Sequence, residues 1–150
     1  MLEAMNTAHR ELAIRTAYEV DLSPGFRADE SRFAPFKTAS LAVRVRVPTV
    51  LHQARAALVH DTSRRLTELS APTLVLHGTA DEMIDVVNAD YIAELGPSSH
   101  RVSRKRTLEL LDGLGHLFWW ERPVAIAELV RNHCLGGRQV SQVAGVGAQQ

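Results

Sequence analysis

Two side chains in this sequence have the types and placement for proton-transfer chemistry. Asp81 closes the run Pro72-Thr-Leu-Val-Leu-His-Gly-Thr-Ala-Asp81, and His116 closes the run Leu110-Leu-Asp-Gly-Leu-Gly-His116. Each run is a short apolar stretch that stops at a glycine and delivers one titratable group just beyond. A carboxylate that orients an imidazole, with the imidazole taking and returning a proton, makes up two members of a nucleophile–base–acid triad. The third member has no evident counterpart, because no Gly-x-Ser-x-Gly occurs in the 150 residues. If a nucleophile lies within the chain, Ser70 and Ser98 are the first to test.

Other groups compete for these roles. Glu82 and Asp85 lie close to Asp81, and Asp112 ends the second apolar run as a turn residue. His77 stands before the glycine, where a histidine is expected to be a satisfied structural group. A zinc site built from His77, Asp81 and His116 is chemically conceivable. No pair of histidines shows the four-residue helical step next to an acid, and no metal is expected. Phe118, Trp119 and Trp120 follow the histidine directly. They suit either the wall of a pocket at the imidazole or packing beneath neighbouring elements.

The elements that must position these groups follow from periodicity. Residues 1–22 predict a helix, with Leu2, Met5, His9, Leu12, Ala13 and Thr16 at helical spacing. Ser23-Pro24-Gly25 ends it. Residues 23–48 are expected to be irregular, with Phe26, Phe33 and Phe36 filling a local core. A second helix is expected from Pro48, with Leu51, Ala54, Leu58 and Val59 on one face. Thr73–His77 and Arg106–Leu111 predict two strands, and the unalternating apolar run in the first suits a parallel sheet buried on both faces. Residues 85–95 predict a helix capped by Asp85 and stopped by Gly96-Pro97. A further helix over 122–134 has Ile126, Leu129, Val130 and Cys134 as its buried stripe, and residues 136–150 predict a disordered tail. Strand–helix–strand–helix is the grammar of an α/β parallel sheet. Two strands alone leave unpaired edges, so self-association through them is expected.

Composition narrows the function classes. Seventeen basic and seventeen acidic residues cancel, so a broad nucleic-acid footprint is not expected. The run Arg101-Val-Ser-Arg-Lys-Arg106 is the one concentrated basic segment, and without interleaved aromatics it suits a solvated loop. The lone Cys134 rules out an internal disulfide and fits a reducing compartment. No stretch has the apolar length of a signal peptide or a membrane span, so a cytoplasmic protein without a membrane partner is expected.

Leu69-Ser-Ala-Pro-Thr-Leu-Val-Leu-His-Gly-Thr-Ala-Asp81, Gly113-Leu-Gly-His116 and Glu121-Arg-Pro123, in this order and spacing, resemble the C-terminal portion of the α/β-hydrolase family. The likeness is specific over about 69–134, suggestive over 50–68 and weak before that. It implies residues 1–68 as part of a helical cap, 69–135 as the C-terminal core segment with two parallel strands and flanking helices, and 136–150 as a tail. The family's triad runs serine, acid, histidine. On that order the resemblance makes Asp81, three residues after Gly78, the acid and His116 the base, and puts the serine upstream of Met1. The step from Asp81 to His116 is slightly long for the family, and residues 100–106 account for the excess. No cofactor is implied, and the partner of the intact enzyme is a small-molecule acyl substrate.

Two functions follow. One is the acid–base half of a serine hydrolase for an ester, lactone or similar acyl bond, inactive without its nucleophile. The other is a non-catalytic module that pairs through an open sheet edge.

Overall fold

A computed structural model describes residues 2–43, 46–69, 71–94 and 106–136. The chain opens with helix α1 (Leu2–Asp21), braced on its surface by the i,i+4 pair of Arg15 and Glu19. Leu22 and Ser23 break it. Ser23 adopts an extended backbone, and its hydroxyl accepts the Phe26 amide at 3.2 Å, which caps the one-turn helix α2 (Pro24–Arg27) with proline in its first turn.

The expectation of irregular structure over 23–48 fails here. After α2 come a 3₁₀ turn (Glu30–Arg32) and helix α3 (Phe33–Ala42). Pro35 looks like a breaker in the sequence, but it is the third residue of α3. The first turn has no intrahelical N–H bond to lose, so proline is tolerated there. The predicted second helix forms as α4 (Val47–Val59), followed by a 3₁₀ turn (Ser63–Glu68). Its expected apolar face stays in solvent, for Leu51, Leu58 and Val59 are all exposed.

The two predicted strands are present. β1 (Thr73–Gly78) and β2 (Arg106–Leu111) pair in parallel, with Thr73 opposite Arg106 and Gly78 opposite Leu111. Helix α5 (Val87–Glu94) packs on both strands and buries Ala89. A turn at Gly113, whose φ of 70° suits glycine, leads from β2 to the histidine. Helices α6 (Phe118–Glu121) and α7 (Pro123–Cys134) follow. The expected stripe on α7 is buried at Ile126 and half-buried at Leu129, whereas Val130 and Cys134 are exposed. Most of residues 101–106 and 136–150 lies outside the described residues, as do Ser70 and Ser98.

The best-buried cluster is not in the sheet. Ile14, Tyr18 and Leu22 from α1 meet Phe36 from α3, with Phe26, Phe33, Leu117 and Trp120 packed around them. The Leu12 and Thr16 face that announces α1 in the sequence is exposed, and α1 buries its other side. Tyr18 makes edge contacts with Phe33 and Phe36 at centroid distances of 5.1 and 5.3 Å, and Phe36 does so with Trp120 at 5.6 Å. Among the described residues no helix is long and apolar enough to cross a membrane.

Two glycines fix how closely the histidine loop is held. A Cβ at Gly78 would lie 2.2 Å from the Leu114 carbonyl oxygen, and one at Gly115 would lie 2.5 Å from the Ser23 amide nitrogen. Both obstacles are backbone and cannot rotate away. Gly78→Ala and Gly115→Ala are each expected to lower stability by about 1–3 kcal/mol in thermal unfolding. Gly25→Ala, with nothing within 4 Å, is the control and is expected to be neutral or slightly stabilising.

Candidate active site

The two strand ends are stitched to each other. The Thr79 amide donates to the Leu111 carbonyl at 3.0 Å, and the Ala80 amide to the Leu114 carbonyl at 2.9 Å. The Thr79 hydroxyl donates to Asp112 at 3.3 Å and accepts from the Gly113 amide at 2.8 Å. This frame brings together the two residues singled out by the sequence. His116 Nδ1 lies 2.9 Å from Asp81 Oδ2. A carboxylate only accepts, so Nδ1 carries a proton, and in the neutral ring Nε2 keeps its lone pair. Among the described residues Nε2 has no hydrogen-bond partner.

Asp81 is well buried, its side chain 4 % exposed against 33 % for His116. Its other oxygen accepts the amides of Met83 and Ile84 at 2.8 and 2.9 Å. Burial by itself raises a carboxyl pKa. The Ile84 amide, the His116 ring N–H and the Met83 amide outweigh it, and Asp81 ends below the usual carboxylate range. A carboxyl depressed in the folded state contributes stability above its unfolded pKa and loses it as pH falls through the folded value. Asp81→Asn is therefore expected to be less stable than the parent at pH 6, with the two unfolding curves converging as pH is lowered below about 4. Parallel curves would mean that these contacts are not formed.

The competing acids sort themselves by geometry. Glu82 lies 3.5 Å from Arg27, Asp85 accepts the Val87 amide at the start of α5, and Asp112 belongs to the turn. His77 is buried and only half satisfied. Its Nδ1 donates to the Gly78 carbonyl at 2.9 Å, whereas Nε2 has no hydrogen bond among the described residues and sits 3.7 Å from Asp81 Oδ2. Among the described residues no group of three or more His, Cys, Asp or Glu is placed to hold a metal ion. Trp120 joins the core cluster, and half-exposed Trp119 stands 6.4 Å from the His116 ring.

Three residues near the pair carried no functional reading in the sequence. Asp21 ends α1, and its backbone carbonyl accepts the Leu117 amide at 2.8 Å. Burial raises its carboxyl pKa, the nearby His116 opposes that, and the charge on Asp81 adds to it. Glu121 and Ser23 hydrogen-bond to each other across 98 residues of sequence. Ser23-Pro24-Gly25 signals the end of a helix, but no local pattern signals a contact at that separation. An open groove of about 530 Å³ adjoins Asp21, walled by Leu12, Ala13, Ala17 and Val20 from α1 and by Met83.

Among solved structures the chain is similar to Est816, described as an N-acyl homoserine lactone degrading enzyme. The TM-score is 0.53 at 25% sequence identity, over 79% of this chain and 50% of that one. The chain thus spans about half the length of that enzyme. No protein-family model and no curated protein matches it. A mixed α/β arrangement with a two-stranded parallel sheet and flanking helices is consistent with part of a hydrolase-like fold.

Proposed function

We propose that the chain is the acid–base half of a serine-type α/β hydrolase that cleaves an ester, lactone or similar acyl bond. One observation carries this reading: the 2.9 Å contact of His116 Nδ1 with a buried Asp81, which leaves the other ring nitrogen free to accept a proton. In this role His116 takes the proton of an attacking serine and passes it to the leaving alkoxide, and Asp81 stabilises the imidazolium formed between those steps. The serine and its oxyanion hole come from a segment outside these 150 residues. The likeness to a lactone-degrading enzyme supports an acyl substrate, and the apolar groove beside Asp21 suits a substrate with a hydrocarbon portion.

Labelling with a fluorophosphonate tests this. The chain alone is expected to stay unlabelled. With a polypeptide supplying the Gly-x-Ser-x-Gly elbow of the fold, the added serine is expected to be labelled at a rate that depends on His116. Labelling of a serine within the chain would overturn the placement of the nucleophile elsewhere. Labelling of the added serine that ignores His116→Ala would overturn the whole reading. One observation favours the second, non-catalytic function. The described sheet has two strands, so β1 and β2 each keep one unpaired edge able to recruit another chain.

A further inference from the structure

The loop that carries His116 is held by a carboxylate that has no part in the proposed proton transfer. Glu121 Oε1 accepts the Ser23 amide at 2.8 Å and the Gly115 amide at 2.9 Å, and Oε2 accepts the Ser23 hydroxyl at 2.6 Å. All three donors are neutral, and among the described residues no cation pairs with Glu121. Ser23 is 1% exposed. Its hydroxyl both donates to Glu121 and accepts the Phe26 amide, so it is committed on both sides.

These bonds bracket the imidazole. Gly115, the residue before His116, is anchored by Glu121, and Leu117, the residue after it, is anchored by the Asp21 carbonyl at 2.8 Å. Gly115 has no room to shift toward α1, because a single added carbon there would strike the backbone of Leu22 and Ser23. α6 is a single turn, and it folds Glu121 back beneath Gly115. Charge-assisted hydrogen bonds such as these are about twice as strong as neutral ones and carry directional information.

We infer that Glu121, with Ser23, is a positioning residue that sets the orientation of the His116 ring toward Asp81. This rests on the acid–base reading of that pair. Without the Glu121 charge the Gly115 peptide is free to tilt, and His116 Nδ1 loses its alignment with Asp81 Oδ2. The imidazole then drifts toward the Nε2–H tautomer, which cannot accept a nucleophile's proton at Nε2.

Nitrogen-15 NMR of the ring in the full chain at pH 8, above the ordinary imidazole range, reads this tautomer directly. The parent is expected to hold the Nδ1–H form. In Glu121→Gln the ratio of Nδ1–H to Nε2–H is expected to fall by about fivefold, the effect of one hydrogen bond of ordinary strength. In Ser23→Ala, which keeps both amide contacts, the ratio should fall about twofold. Circular dichroism accompanies each sample, and if Glu121→Gln fails to fold, Ser23→Ala decides the question. A folded variant with the parent's tautomer ratio would overturn the inference. Asp81→Asn separates it from the reading beneath it. Loss of the Nδ1–H preference in Asp81→Asn but not in Glu121→Gln sinks only the positioning role. Retention of the preference in Asp81→Asn sinks the acid–base pair itself.

Discussion

With the serine-bearing segment supplied, His116→Ala is expected to lower turnover of a short-chain p-nitrophenyl ester by about 10⁶-fold, and Asp81→Asn by about 10⁴-fold. The larger loss belongs to the base, because in the proposed reaction His116 is the group that takes the serine's proton. The smaller loss belongs to the acid, whose removal leaves the imidazole in place but releases its tautomer. Without that segment, the parent and His116→Ala are expected to hydrolyse the ester at the same slow rate. In the proposed reading the hydroxyl to be deprotonated and the oxyanion hole both come with that segment. Progress curves for the three proteins, with and without the added segment, check every term. A His116-dependent rate in the chain alone would reveal a nucleophile within these 150 residues.

The second large effect concerns stability. Tyr18 is 1% exposed and touches Phe33 and Phe36 edge to face. Tyr18→Ala is expected to cost about 3–5 kcal/mol, enough to unfold a chain with so small a buried cluster. Tyr18→Phe is expected to behave in the opposite way. The Tyr18 hydroxyl is buried with no hydrogen-bond partner among the described residues, and burial also pushes its pKa up. Removing it relieves a desolvation penalty of about 1–3 kcal/mol while keeping the ring contacts. Urea titrations of the three proteins distinguish the cases, and a Tyr18→Phe variant less stable than the parent would show that the hydroxyl finds a partner in solution.

The two strands were legible because each rests on a local signal, whereas the meeting of Asp81 with His116, 35 residues apart, was implied by the resemblance to the α/β-hydrolase family. An apolar run of strand length, a glycine and a titratable residue lie within ten positions of one another at both places. The helices at 24–42 were not legible, because Pro24 and Pro35 look like breakers unless their first-turn positions are known. Cys134 and Val130 looked buried from spacing alone, yet spacing shows only that residues share a face. Whether anything covers that face is decided by packing. Ser23 and Glu121 were hidden for a different reason: their partnership exists only after residues 98 apart are folded together.

That separation has a consequence for biosynthesis. Tyr18 and Leu22 leave the ribosome long before Leu117, Trp120 and Glu121, which complete their surroundings. At about 5–20 residues per second, a chain of this kind waits roughly 5–20 s between the two events. During that interval α1 presents an aromatic and aliphatic face with no C-terminal cover, and the histidine loop does not yet exist. Asp81 and His116 can thus meet only after residue 116 has been made. A nascent chain stalled before His116 holds Asp81 without its imidazole and α1 without the cover of Leu117 and Trp120.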